Sequence, residues 1–510
     1  MENENSSVQS GSGAMKFSKD YLKRTIWIGL AFFGILLVWQ LYNTYCSPML
    51  AMLFAKSDYP DKIAAASAVN LTKMKDILAA GYITSNDYLK IQWKVGIIMA
   101  LDNIAALFMM PLFGNWSDKT HSKLGKRMPF IIVGSVVTAF VLPLIPLFFN
   151  MGMENTSNIT AALIGMICTM VVVIMFMMSY RSPAVALMPD LTPKPLRSRA
   201  NGIINVVGYA GGAIGAIFGI VIPVTSYMEG TSKSLWTLEV PFLVSSVVLL
   251  VSLALLLIKV KENKLHEQLD AEIARGDAMG ESAEQVTTSG KLSKNNLRNL
   301  ALILVAEVFW FMSLNGIETF QTNYLMFHFN TSSGGGAIMT VLSGAASVCG
   351  FLIAGPIADK IGRKWTIMTG ICTVVLGYAA YALVGALTKQ AADPTFDSSF
   401  PWTFYIITPI VGLGTSLIHI CSFPLVTDYC TSDKLGKFTS LYYTASMLAQ
   451  SVTPILIGLI FMAVGSWNAL PIYSCALMFM AGLIFVFVKA PHKNDKAKNA
   501  KGLEALGADD

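Results

Sequence analysis

Charge is what this sequence has least of. Aspartate, glutamate, lysine and arginine make up 13% of its 510 residues, and 54% of the chain is apolar. Soluble domains carry about 25% charged residues, so too little polar surface exists to cover a water-soluble fold, and the composition is that of a membrane protein. The net charge of +6 is spread through loops rather than gathered into one face, which excludes a nucleic-acid partner. Cysteine is scarce as well. Cys46, Cys168, Cys349, Cys372, Cys421, Cys430 and Cys475 lie in or beside apolar segments without CxxC spacing. Neither a disulfide framework nor a metal site is indicated, and the thiols read as small buried apolar groups. HExxH, GxSxG and GxxxxGK[ST] are all missing, so no motif calls for an enzyme or a cofactor. No apolar run precedes Ile26. A cleavable signal peptide is therefore not expected, and the N-terminus should stay cytoplasmic.

Long apolar runs are abundant. About 20 residues suffice to cross a bilayer as a helix, and twelve such runs occur, near 25–50, 93–115, 129–150, 160–188, 201–224, 240–258, 298–326, 336–357, 365–387, 402–427, 439–464 and 467–488. An even count puts both termini on one side. Lysine and arginine concentrate on that side, while the opposite loops near 151–159 and 328–335 have none. The positive-inside rule then makes both termini cytoplasmic. The charged stretch 259–296 divides the crossings six and six. This predicts a cytoplasmic tail (1–24), a six-helix bundle (25–258), a linker loop (259–296) with a surface helix around Glu262 to Arg275, a second six-helix bundle (297–488) and a tail (489–510). The outer segment from Ala55 to Gln92 is helix-prone, and reads either as a gate cover or as a solvated insertion.

A glycine, an aspartate and a basic cluster recur in the two halves. GNWSDKTHSKLGKR runs from Gly114 to Arg127 and GPIADKIGRK from Gly355 to Lys364, with Asp118 and Asp359 241 positions apart. A second pair of segments, SPAVALMPD ending at Asp190 and CSFPLVTD ending at Asp428, is offset by 238. Two matched pairs at nearly one offset indicate a duplicated transporter. An aspartate at the end of a crossing can accept hydrogen bonds from a neighbouring helix N-terminus and pair with nearby cations. Asp118 with Lys126 and Arg127, and Asp359 with Arg363 and Lys364, are therefore expected to form a latch whose contacts are lost when the cytoplasmic gate opens. Asp190 and Asp428 are candidate cross-half partners for the basic groups.

These features resemble the major facilitator superfamily from about residue 25 to 490. Gly362 follows Asp359 by three positions, the usual spacing of that superfamily's loop motif. The first copy departs from it, with Gly125 seven residues after Asp118. That longer loop, SDKTHSKLGKRMPFI, and the stretch RSPAVALMPDLTPKPLRSRANG resemble the glycoside-pentoside-hexuronide:cation symporters and the plant sucrose transporters. The resemblance implies an all-α membrane protein of twelve helices in two pseudo-symmetric six-helix bundles, moving a small molecule by alternating access, and able to work as a monomer in the lipid bilayer. Sodium-coupled members of that branch gather several aspartates on the second and fourth helices. This chain has Asp102 alone on the second, and its fourth has no mid-span acid, which favours a proton as the coupling ion.

An ionisable group inside a membrane span is costly and faces a cavity when it works. Asp102, Arg181, Glu307 and His419 each lie about nine residues from a span end, roughly 14 Å deep at helical rise. All four are expected near the midplane. A carboxylate in a dry site can carry a proton at neutral pH, which makes Glu307 or Asp102 the expected proton carrier and Arg181 its switch. Gln40, Asn43 and Ser47 form a polar stripe on the first crossing, and Asn315, Glu318 and Thr322 form one on the seventh. Trp39 and Trp310 could offer flat faces to a sugar ring. Gln40, Asn43, Arg181, Trp310, Asn315 and His419 are the candidate sugar contacts, with Glu318 and Gln321 nearer the outer mouth. The expected function is proton-coupled import of a glycoside or oligosaccharide. The competing expectations are an antiporter exporting drugs or other solutes, which would need a broader and more apolar cavity, and a non-transporting membrane protein.

Overall fold

The computed structural model describes residues 18–71, 74–193, 196–226, 235–284, 294–329, 331–388, 402–429 and 435–489. Apolar side chains dominate every long segment, and in a bilayer only a helix satisfies each segment's backbone from within. The chain is accordingly helical: α1 (Lys19–Asp58), α2 (Pro60–Ala68), α3 (Met74–Ala79), α4 (Ser85–Asp118), α5 (Met128–Val141), α6 (Leu144–Glu154), α7 (Ile159–Asp190), α8 (Arg197–Val221), α9 (Glu239–Lys259) and α10 (Glu262–Glu284) form the first part. The second part is α11 (Lys294–His328), α12 (Gly334–Ile361), α13 (Arg363–Leu387), α14 (Thr403–Tyr429), α15 (Leu435–Val464) and α16 (Ala469–Val486). Twelve helical segments among the described residues are long and apolar enough to cross a membrane, with α5 and α6 making one crossing between them.

Several helices outrun the apolar stretch that defines them. α1 has 40 residues, or about 60 Å, and begins at Lys19 rather than near 25. The expected linker 259–296 opens with α10, while 285–293 lie outside the described residues, as do most of the expected tails, 1–17 and 490–510. Between α1 and α4 the chain folds back: Thr84 caps α4 in a capping box with Asp87, whose carboxylate also takes an ion pair of 2.7 Å from Lys62 of α2. The thiols are not uniformly buried. Cys46 and Cys421 are buried, but Cys168, Cys349 and Cys372 lie on the exposed helix faces, where lipid tails would solvate them.

Two bundles meet along α1, α4 and α8 of the first and α11, α12 and α15 of the second. The bonds joining them cluster at the end opposite the loops that follow α4 and α12. Asn323 donates to Ser47 Oγ (3.1 Å) and Gln92 Oε1 (2.9 Å), all three side chains being fully buried. Ser85 donates to the Phe327 carbonyl at 2.5 Å and Trp467 to the Ser85 carbonyl at 3.2 Å, and Thr225 and Ser332 share a 2.9 Å hydroxyl contact. α4 and α15 approach so closely that a Cβ on Gly96 would stand 2.1 Å from the Pro454 carbonyl oxygen, and one on Gly458 2.5 Å from Trp93 Cα. Only glycine fits at either point.

Candidate functional site

A cavity of about 340 Å³ lies between the bundles on the loop side of that seal. α1 contributes Gln40, Asn43 and Thr44, and α11 contributes Leu314, Ile317, Glu318, Gln321 and Thr322, one helical face at i, i+3, i+4, i+7 and i+8. The rest of the second bundle lines it with hydroxyls: Thr340, Ser343 and Ser347 on α12, Tyr378 and Tyr381 on α13, Thr408, Thr415 and Ser416 on α14. Tyr381 and Thr408 hydroxyls are 2.6 Å apart. Tyr209 of α8 and Phe351 of α12 face each other across the bundles, ring centroids 6.5 Å apart. His419 also lines the cavity, its ring 5.5 Å from that of Phe311.

Charge gathers at one side of this space. Glu318 accepts a 2.9 Å hydrogen bond from Asn43, so its carboxylate is held across the bundle boundary. Arg181 of α7 lies with its guanidinium 5.2 Å from the Trp39 ring centroid, a cation–π geometry. Asp102, buried and held by the amide of Asn103 at 2.7 Å, is within electrostatic range of both Arg181 and Glu318. No hydrogen bond or ion pair below 4 Å joins Arg181 to another described residue, which leaves its five N–H donors uncommitted. Glu318 is exposed only into the cavity, since protein surrounds it.

Several sequence expectations are corrected. Glu307 does not join Arg181: it is fully buried in the second bundle, both carboxylate oxygens lack a partner, and Tyr442 and Tyr443 of α15 are its electrostatic neighbours. Glu318, expected nearer the outer mouth, is instead the second carboxylate in electrostatic range of Arg181. Trp310 is likewise fully buried and packs edge-on against Phe485 at 6.1 Å, and Asn315 is turned from the cavity, 5% exposed with its Oδ1 unpartnered. Of the stripe expected on α11, Glu318 and Thr322 do line the cavity, and only Asn315, at the stripe's edge, is turned into the packing between helices. Ser47 belongs to the seal. Gln40, Asn43 and His419 do line the cavity; Asp102 and Arg181 lie beside it.

The loop network also differs from expectation. Gly114 and Asp118 lie in α4 itself, where a Cβ on Gly114 would come within 2.7 Å of Ser182 Oγ on α7. Arg127 bonds Asp190 through Nε at 2.8 Å, Ser117 Oγ at 2.5 Å, and Asp118, while Lys126 pairs with Asp190 at 3.2 Å. Among the described residues, Asp190 therefore pairs within its own bundle. In the second copy Lys364 donates to the Val486 carbonyl (3.1 Å) and Arg363 to the Pro424 carbonyl (3.4 Å). Gly355 lies within α12, and the side chains of Asp359 and Asp428 lie outside the described residues. Sequence reading missed the hydroxyl wall, though Thr340, Ser343 and Ser347 repeat at i, i+3 and i+7 within an apolar run. It also missed Glu262, which caps α5 from the linker.

A 129-residue segment is 30% identical to the sucrose transport protein SUC3 of Arabidopsis thaliana, but it spans only 22% of the length of that relative. The sucrose transport protein SUC4 of the same plant is 23% identical over 68% of this chain and 72% of its own length. The fosmidomycin resistance protein of Escherichia coli is 24% identical over 61% of this chain and 69% of its own. Among solved structures, a D-xylose-proton symporter has the same fold, with a TM-score of 0.61 at 13% identity over 92% of this chain and 99% of that one. The sequence profile of the Major Facilitator Superfamily matches residues 66–387 and 303–508, so the chain belongs to that superfamily of multi-pass membrane transporters, within which it resembles the sucrose-transporter branch.

Proposed function

We propose that this transporter is a proton-coupled symporter of a neutral sugar, a glycoside or oligosaccharide, working by alternating access. The observation that carries this reading is the pairing of a hydroxyl- and amide-lined cavity with one arginine and two carboxylates at its side. Neutral polyols are bound by many weak donors and acceptors placed to replace water, with aromatic faces against their C–H surfaces. Gln40, Asn43, Gln321 and the hydroxyls of α12 and α14 supply the first; Tyr209, Phe351 and Tyr378 supply the second. Asp102 and Glu318 compete for the one guanidinium of Arg181. A proton on either carboxylate changes which of them the arginine favours, and a sugar hydroxyl taken up by Arg181 changes it again, so binding of proton and sugar is linked. Similarity to sucrose transport proteins supports the sugar class.

The loop residues Gly114, Asp118, Lys126, Arg127 and Asp190, with Gly355, Asp359, Arg363, Lys364 and Asp428 in the second half, are assigned to the gate at the cytoplasmic side. Lysine and arginine placement supports cytoplasmic termini and a cell-membrane location. A monomer suffices, because the cavity is made within one chain.

A second reading, export of drugs or other small solutes, is favoured by the similarity to the fosmidomycin resistance protein. Uptake into proteoliposomes separates the two. Labelled mono-, di- and oligosaccharides are offered with and without an imposed pH gradient. Accumulation of a sugar that collapses when a protonophore is added supports symport. Failure of every sugar, with saturable proton-dependent efflux of an amphipathic solute, replaces it with the exporter.

A further inference from the structure

The linker helix α10 holds a carboxylate where a helix start needs one. Glu262, 3% exposed, accepts from three successive backbone N–H groups at the N-terminus of α5: Lys126 (2.9 Å to Oε1), Arg127 (3.0 Å to Oε2) and Met128 (3.0 Å to Oε2). These are donors that a helix leaves unsatisfied at its first turn, and a negative charge there is also favoured by the helix dipole. α5 has no side-chain cap of its own, since Arg127 fills the cap position. The chain before it is shaped to admit the visitor. Gly125 has φ +119°, and a Cβ there would stand 2.2 Å from Glu262 Oε2. Next along α10, Asn263 donates to the Ser122 and Lys123 carbonyls at 3.0 and 3.1 Å. Farther on, Leu269 packs with Tyr21 and Leu196, and Tyr21 bonds Glu272. The linker helix is thus fastened to the first bundle.

Glu262 fixes the backbone of the residue on which the loop network turns. Arg127 is 4% exposed, and its guanidinium bonds are spent on Asp118, Asp190 and Ser117, all of its own bundle. With α5 capped this way, that arginine is not offered to the second bundle. Among the described residues, the polar bonds between bundles lie at the other end, around Asn323, and at the cavity, where Asn43 meets Glu318.

We propose that Glu262 is a positioning residue for alternating access, capping α5 from the linker so that Arg127 stays committed to its own bundle and the loop end of the transporter stays parted. This rests on the superfamily's two-bundle mechanism and is independent of the substrate. The test is amide hydrogen exchange on the full chain in lipid nanodiscs, without substrate, comparing the unaltered protein with Glu262→Gln and Gly125→Ala. Gln cannot accept from all three donors, and the added methyl displaces the carboxylate from the other side. Both variants should show a reciprocal change: exchange slowed on the order of threefold in peptides near the loop end of α8 and α12, and hastened in those around Gly96 and Gly458. Combining Glu262→Ala with Gly125→Ala should add little to either alone. Exchange raised only at 126–128, with both ends otherwise unmoved, reduces Glu262 to a structural cap and overturns the proposal, as does faster exchange at both ends. If Glu262→Gln does not fold, Gly125→Ala and Glu262→Asp carry the same reading.

Discussion

At the residue scale the charges divide into those that can respond to a ligand and those that cannot. Asp102, Arg181 and Glu318 lie in mutual electrostatic range beside the cavity, whereas Glu307 is sealed away with both oxygens unpartnered. Asp102→Asn or Glu318→Gln should therefore abolish pH-gradient-driven accumulation while downhill exchange persists, and Glu307→Gln should leave accumulation intact; parallel uptake assays in proteoliposomes check all three. Removing an unpaired buried carboxylate relieves a desolvation cost, so Glu307→Met should raise the thermal midpoint of the detergent-solubilised protein. Trp310→Ala should lower it instead, by about 3–5 kcal/mol of folding free energy, without a specific loss of affinity. Outside the spans, burial pushes the Glu262 carboxyl above its ordinary 4.5, against the pull of three backbone N–H bonds, and Asp190 raises it further. The charged groups around it are Asp118 of α4, Lys126 and Arg127 before α5, and Asp190 of α7. A raised acid contributes its stability fully below the unfolded value and loses it as pH climbs through the folded one. The cap itself needs the anion. Exchange at amides 126–128, corrected for its intrinsic pH dependence, should therefore quicken as pH falls through that raised value, and a flat profile would contradict the capping role.

At the element scale, what the sequence made legible was whatever a bilayer imposes on a single helix. Twelve crossings, their order and the break at residues 259–296 follow from run length alone, because length and apolarity are local properties. Which face of α11 meets the cavity is not local. It depends on α16 and α15 packing behind it, which turns Trp310, Asn315 and Glu307 inward and leaves Glu318 and Gln321 at the space between bundles. Glu262 was illegible for the same reason, since its partners are some 135 positions away. The seal shows how two elements can read as ordinary membrane helices and still carry a designed contact. Asn323 and Gln92 are amides in separate spans, and only their pairing explains both. A double-mutant cycle with Asn323→Leu and Gln92→Leu should give a coupling of about 1 kcal/mol in thermal unfolding. Each single variant should also raise exchange around Gly96.

At the scale of the whole molecule, the described polar bonds between the bundles lie at one end and beside the cavity, while Arg127, Lys126 and Lys364 at the loop end bond within their own bundle. Such an arrangement is one of two states that a transporter must visit, so holding the joined end shut should stop transport without removing the cavity. Thr225 and Ser332 have hydroxyls 2.9 Å apart across the boundary between α8 and α12, which brings their side chains within reach of a disulfide. Neither lines the cavity. In a chain whose native cysteines are replaced by serine or alanine, Thr225→Cys with Ser332→Cys should oxidise to a cross-linked form that carries out neither net uptake nor exchange. Reductant should restore both, and each single cysteine variant should be insensitive to oxidant. Binding, followed by calorimetry with whichever sugar the uptake panel identifies, should survive the cross-link because the loop side of the cavity is untouched. Retained exchange in the cross-linked protein would mean that the two ends move independently. Lost binding would mean that the cavity forms only when the sealed end is free to open, and the alternating-access reading of this conformation would have to be reversed.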